Sequence, residues 1–449
     1  MKKKLFFLLL INISLTATAG TITFSGKIAN MKGKNVRLRG LFYEHEIATA
    51  ADGTFSDTFE IDYKGSFTFY TKSATTIIYL APDASISVTA NDEAFFETVK
   101  FSGDLHLENQ YLAAKMVTQN ALDLNELYLL DENDFVRKNE SIRSEALAKF
   151  HAISFSDTDF TFREERSIEF DYQFNLYRYE GAHAGLTKQP FKVSDKFPKF
   201  DTTIDIDNDG DYLYSPTYRM MTFARFSNRA YGANAVEDSS ASKLPFTLIN
   251  SYKSEWIRNA MMKTLQFSIE AGNPDNVVIY NDLKANVTNA RLMAAINDRY
   301  LVATTITDGC PSPVFNYENH KGGKTSLTSL KGNYVYIDVW ATWCEPCLKE
   351  LPDLQKIGEK YKGKKITFVS ISLDSTADYN KWKKMVAAKN LGGIQLLADK
   401  EIESDFIKKY GIIGIPRFIL IDPNGVIVNA NAPRPSTPEL IVLLDKLVI

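Results

Sequence analysis

Cysteine is scarce in this chain, with three residues in 449. That excludes a disulfide-stapled scaffold, and a chain of this length can bury a large core without staples or metals. Charge of one sign is lacking too: 52 Lys and Arg face 55 Asp and Glu, for a formal net charge of −3. A near-neutral balance gives no electrostatic case for binding nucleic acid. Beyond the N-terminus no segment offers 18 consecutive apolar residues, so no membrane span is expected and the mature protein should be soluble. Heptads and internal repeats are missing, as is any nicotinamide or flavin fingerprint. No cofactor is expected. His45 and His106 stand alone and are expected to fill surface or satisfied roles. Gly and Pro occur at ordinary frequency, 23 and 15 residues, which excludes collagenous and low-complexity chains. The length predicts about three domains.

The first residues read as an address. Lys2, Lys3 and Lys4 precede an apolar run, Leu5 to Leu15, broken only by Asn12 and Ser14. Ala17-Thr18-Ala19 then supplies the small-x-small pattern that a signal peptidase cleaves. The run is too short to cross roughly 30 Å of hydrocarbon as a helix. Residues 1–19 are therefore expected to be a cleaved signal peptide. No cysteine stands at the cleavage point to take a lipid. Removing the three lysines leaves 49 basic against 55 acidic side chains. An acidic, exported, cysteine-poor protein suits a bacterial periplasm.

Residues 20–104 alternate in short β-branched and aromatic runs and predict a small β-sandwich. The strands are expected over Thr21–Ile28, Asn35–Phe42, Thr54–Ile61, Ser66–Tyr70, Thr76–Leu80 and Ser85–Thr89, with Asp52-Gly53 a hairpin or tight turn. Residues 105–305 switch to helical spacing, as at Tyr111, Leu112, Lys115 and Met116, with a polar loop expected near Ala235–Lys243. Ser215-Pro216 reads as an N-cap followed by proline at the first helical position. Phe162, Phe170, Phe174 and Tyr177 are expected to be core. Asp205-Ile206-Asp207-Asn208-Asp209-Gly210 imitates the start of a calcium loop. Its twelfth position is Pro216 where a bidentate Glu is required, so a solvated turn is expected and no metal. Residues 306–449 alternate strand and helix, beginning with the nearly continuous apolar strand Tyr334–Trp340.

The chemistry concentrates at Trp343-Cys344-Glu345-Pro346-Cys347. The pair follows a buried strand and opens a helix, which is the context of a redox dithiol rather than half a zinc site. Unpaired N–H groups at a helix N-terminus favour an anion. Cys344 should therefore be a thiolate with a pKa well below about 8.5 and act as nucleophile. Cys347, one helical turn on, can resolve a mixed disulfide. Cys310 is the odd cysteine, read as a free thiol; the sharper reading makes it a third thiol trading with the dithiol.

Ile337-Asp338-Val339-Trp340-Ala341-Thr342-Trp343-Cys344-Glu345-Pro346-Cys347, then Glu350-Leu351-Pro352, then Gly414-Ile415-Pro416, resemble the thioredoxin superfamily. The nearest match is to its exported TlpA/ResA-like thiol–disulfide oxidoreductases, over about Asp308–Ile449. The upstream layout is similar to multidomain members common in Bacteroidetes. The resemblance implies a C-terminal α/β thioredoxin-like fold with an extra helix and strand between Leu373 and Ile402. It implies that Pro416 is the cis-proline beside the dithiol, leaving the Ile415 backbone free to pair with an extended substrate. It makes Pro352 the proline of the active-site helix and Trp343 the aromatic that flanks the nucleophile. Asp338, six residues before Cys344, matches the buried aspartate that serves as base toward the second cysteine; many exported relatives carry Asn there. Glu350 matches a glutamate that some relatives place beside the dithiol, against an exposed helix residue as the alternative.

The function expected is a periplasmic disulfide reductase acting on exported proteins, with Cys344, Cys347, Asp338, Glu350 and Pro416 catalytic, and Trp343, Ile415 and Pro416 in contact with substrate. Its partners would be disulfide-containing exported proteins and a membrane thiol electron donor. The alternatives are a dithiol oxidant or isomerase, a thiol peroxidase and a non-catalytic envelope binding protein.

Overall fold

A computed structural model describes residues 20–31, 33–232 and 244–447. The expected signal peptide and the polar loop at 235–243 lie outside the described residues. The chain divides into two compact units, Met1–Met261 and Met262–Ile449. Among the described residues no helix is long and apolar enough to cross a membrane.

The first unit opens with eight strands: β1 (Gly20–Ala29), β2 (Val36–Arg39), β3 (Glu44–Ile47), β4 (Thr54–Ile61), β5 (Gly65–Tyr70), β6 (Thr75–Leu80), β7 (Ser85–Asn91) and β8 (Lys100–Gly103). They form two four-stranded sheets, ordered β4-β1-β7-β8 and β3-β2-β5-β6. Ile22, Phe24, Val88, Leu38, Phe67 and Phe69 share one core, as the inward residues of a sandwich must. Asp52-Gly53 is a tight turn between strands of different sheets, not a hairpin. Gly53 has φ +83°, and a Cβ there would lie 1.8 Å from the Ile28 carbonyl oxygen, so only glycine fits.

Helices follow, including α1 (His106–Asn120), α2 (Glu132–His151), α3 (Thr158–Thr187) and α4 (Pro216–Tyr231). Ser215 caps α4 by accepting from the Tyr218 amide, with Pro216 at the first turn. The aromatic series on α3 is only partly core. Phe170 is buried, whereas Phe162 and Tyr177 are more than 40% exposed. The spacing placed them on one helix but not all on its covered face. In the calcium-like turn, Asp207 accepts from the Lys253 and Ser254 amides and Asn208 from the Asp211 amide. Asn208 thus caps the helix that follows, and Asp207 pins the backbone at 253–254.

The second unit begins with α5 (Asn276–Asn286) and α6 (Ala290–Thr305) and continues through β9 (Asn316–Asn319), β10 (Lys324–Ser326), β11 (Tyr334–Trp340), α7 (Glu345–Lys360), β12 (Ile366–Ser372), α8 (Tyr379–Ala388), β13 (Ile394–Leu397), α9 (Asp405–Lys409), β14 (Arg417–Ile421), β15 (Ile427–Asn429) and α10 (Pro438–Asp445). The seven strands form one sheet, ordered β10-β9-β13-β12-β11-β14-β15. β11, β12 and β13 run parallel and β14 antiparallel to β11. Ahead of α9 lies a short 3₁₀ turn, Glu401–Glu403, where Glu401 adopts a left-handed φ of +55° that keeps the two from joining into one helix.

Strand β11 places the site. Val335, Ile337 and Val339 pack with Phe406 and Tyr410 on one face. Tyr336 packs against Ile357 of α7 and Leu440 of α10, and Trp340 against Cys347 of α7 and Trp382 of α8. Side chains alternate along a strand. Asp338, between Tyr336 and Trp340, therefore points under the helix that carries the dithiol.

Candidate active site

Cys344 and Cys347 are joined by a disulfide, with Cα atoms 5.3 Å apart. Cys344 is the N-cap of α7, and its sulfur accepts from the Cys347 amide at 3.2 Å. A sulfur in that position faces the free N–H groups of the helix start, which stabilise it as an anion when the bond is reduced. Both sulfurs rest on an apolar bed of Trp340, Leu351, Trp382 and Val386. Trp343 is 59% exposed beside them. Glu345 lies at the surface and pairs with Lys349 at 3.0 Å. The Ile415–Pro416 peptide is cis, and the Ile415 carbonyl oxygen sits 3.7 Å from the Cys344 sulfur. Residues 71 positions apart in sequence thus meet at one sulfur.

Asp338 is buried in β11. Burial pushes its pKa up to about 7, against the Ser370 hydroxyl, which pulls it down; the Glu350 carboxylate adds a smaller upward push. Glu350 is not an exposed helix residue. It is 8% exposed, and its carboxylate accepts from the Ser436 amide and hydroxyl, both at 3.0 Å, with the Arg434 guanidinium at 3.6 Å. Two carboxyl groups therefore lie under and beside the dithiol helix. One is held by donors, while the other is desolvated and ready to exchange a proton near neutral pH.

Cys310 belongs to the opposite end of the sheet. Its carbonyl accepts from the Ile427 amide, and Ile427 pairs with Ile421, which in turn stands opposite Val335 at the start of β11. The dithiol follows Trp340 at the other end. Five residues of strand at about 3.3 Å each separate the two ends. The reading of Cys310 as a thiol trading directly with the dithiol does not fit this separation.

Two side chains at the site escaped sequence reasoning. Asp374 is fully buried at the end of β12 and accepts from the Thr342 amide at 3.0 Å, the Thr342 hydroxyl at 2.6 Å and the Ser372 hydroxyl at 2.6 Å. It fixes the loop that delivers Cys344. Asp374→Ala strips three donors of a buried acceptor, and is expected to lower stability by about 2–3 kcal/mol. Looser placement of Cys344 is expected to slow its reaction with 5,5′-dithiobis(2-nitrobenzoate) about tenfold. Urea unfolding and stopped-flow absorbance check the two effects. A variant as stable and as fast as the parent would exclude this role. The second is Arg417, which immediately follows Pro416. Its buried guanidinium donates to Glu270 at 2.6 Å and to the carbonyls of Ala271 and Ala430 at 2.8 and 3.0 Å. The only sequence signal for either was a charged residue at the end of an apolar strand.

Residues 309–430 match the AhpC/TSA family. The thiol-disulfide oxidoreductase ResA of Bacillus thuringiensis subsp. konkukian is 28% identical over 142 residues, 31% of this chain and 78% of the relative. The thioredoxin-like protein YneN of Bacillus subtilis is 29% identical over 141 residues, 31% of this chain and 80% of the relative. Among solved structures, the thioredoxin domain of a thiol-disulfide oxidoreductase from Bacteroides vulgatus is 32% identical, covering 32% of this chain and 98% of that one, with a TM-score of 0.29. Residues 309–430 form a thioredoxin-like domain that matches the AhpC/TSA family, and over that domain the chain is similar to thiol–disulfide oxidoreductases.

Proposed function

We propose that the chain is a periplasmic disulfide reductase, exported by the signal peptide at residues 1–19, that acts on oxidised exported proteins. The observation that carries the reading is the placement of Cys344, at a helix N-terminus and against the Ile415 backbone. An extended substrate pairing with that backbone would lay its disulfide beside the sulfur.

The reduced form starts the reaction. The Cys344 thiolate attacks one sulfur of a substrate disulfide. A mixed disulfide forms, the substrate S–S bond breaks, and the departing thiolate takes a proton. Asp338 as carboxylate accepts the Cys347 proton, and the Cys347 thiolate attacks the Cys344 sulfur. The Cys344–Cys347 bond forms and the second substrate thiolate leaves. Two electrons pass from the dithiol to the substrate. Glu350 and its donors hold the charge environment of Asp338, while Trp343 and Ile415 contact the substrate. A membrane thiol carrier would return the enzyme to its reduced form.

Direction of flow is tested by the reduction potential of the Cys344–Cys347 pair in the mature chain carrying Cys310→Ser. The reading expects about −250 mV or lower. A value of about −180 to −120 mV would mark an oxidant or isomerase and reverse the assignment.

A further inference from the structure

Next to the cis-proline lies a cavity of about 260 Å³, lined by Gly411–Arg417, Arg434, Phe267 and Glu270. Phe267 and Glu270 come from the stretch before α5, not from the thioredoxin-like domain. They are fastened there from both sides. Arg417 ties Glu270 and Ala271 to the root of β14, and Asn431 donates to Glu270 at 3.1 Å. Arg299 donates to the carbonyls of Gln266 and Phe267 at 2.8 and 3.2 Å, with its guanidinium 5.6 Å from the centre of the Phe267 ring. The ring is thus held in place and yet is 51% exposed, as is Ile413. A fixed aromatic side chain presents contact area at little entropic cost, which is the property of a recognition residue.

The cavity is smaller than the roughly 300–1,000 Å³ that engulfs a whole small-molecule ligand. It fits a side chain. Cys344 is not among its walls. An occupant that also offers a disulfide to Cys344 must reach across Ile415 and Pro416, a span that an extended peptide covers at about 3.3 Å per residue. The charges in the wall are already matched, Glu270 by Arg417 at 2.6 Å and Arg434 by Glu350 at 3.6 Å, which leaves Phe267 and the isoleucines of the loop to choose the occupant.

We propose that Phe267 is a specificity-determining residue: it receives an apolar side chain flanking the reactive cysteine of a polypeptide substrate. This rests on the functional reading above and narrows its substrate class. The test uses the mature full-length chain and two disulfide-linked peptide dimers, whose cysteine is flanked on both sides by leucine or by serine. The parent is expected to reduce the leucine peptide with kcat/KM about 5- to 10-fold above the serine peptide. Phe267→Ala is expected to bring that ratio to about one, mainly through KM, while Phe267→Leu preserves most of it. Loss of fold would slow both peptides together and leave the ratio unchanged. A parent without preference, or a Phe267→Ala variant that keeps it, overturns the proposal. A parent that reduces neither peptide nor 5,5′-dithiobis(2-nitrobenzoate) overturns the reductase reading beneath it.

Discussion

Cys344→Ser is expected to abolish disulfide reduction, by at least about 10⁴-fold in kcat/KM for insulin, because a serine hydroxyl is not ionised near neutral pH and no second thiol stands in its place. Cys347→Ser should behave differently. The thiolate at the start of α7 survives, so the first attack proceeds, but nothing attacks from behind to release the product. A mixed disulfide accumulates in stoichiometric amount and turnover falls by about 10³-fold or more. Non-reducing electrophoresis with mass spectrometry of the trapped species reads the difference directly. Rapid turnover by Cys347→Ser would show that one cysteine suffices, and the chain would then be a monothiol or peroxidase-type redoxin. Cys310 offers no rescue, since it lies at the far end of the sheet.

Asp338→Asn should separate catalysis from stability. In the oxidised protein burial holds this carboxyl at a pKa of about 7, against 3.8 unperturbed. A folded-state pKa above the unfolded one means that the fold binds the proton more tightly. The contribution is whole below about pH 4 and lost as pH rises through 7. Over that window the parent should lose about 4 kcal/mol. Asn cannot ionise, so the loss disappears, although its amide leaves a buried donor in place of a proton, at a cost of about 1–3 kcal/mol. The variant is therefore expected to be less stable than the parent at pH 4 and more stable at pH 8. Urea midpoints across this range check the crossing, and parallel curves would exclude a titrating Asp338. The rate should move the other way. In the proposed mechanism resolution by Cys347 needs Asp338 ionised, so the parent rate should rise through pH 7 and level off. Asp338→Asn should lose the inflection and run about 10²-fold slower. Tyr336, Ser370 and Glu350 are the polar groups bearing on this carboxyl, and none of them is altered by the substitution.

What could be read from the sequence was what local spacing carries. The strand before Cys344 is an apolar run, the dithiol spans one turn, and Asp338 is a lone charge among apolar neighbours, so each announces itself within a few residues. The β-sandwich strands were legible for the same reason, except β3 and β8, where Glu44–Ile47 and Lys100–Gly103 carry few apolar side chains. Long-range partners leave no period. Glu270 and Arg417 are 147 positions apart, Glu350 and Ser436 are 86 apart, and Thr342 and Asp374 are 32 apart. Only the folded chain brings these pairs together. Glu350 shows the limit well: helical spacing alone could not say whether it faced water or Ser436.

The clamp at Arg417 also bears on where this chain can be cut. A fragment begun at residue 306, where the strand–helix alternation starts, would keep the thioredoxin-like strands and discard Glu270 and the Ala271 carbonyl. It would leave a buried guanidinium half-partnered one residue from the cis-proline, and open one wall of the groove beside it. The compact redox unit starts at Met262, ahead of Glu270, so shuffling or fusing this domain at the boundary suggested by its family would divide a working part.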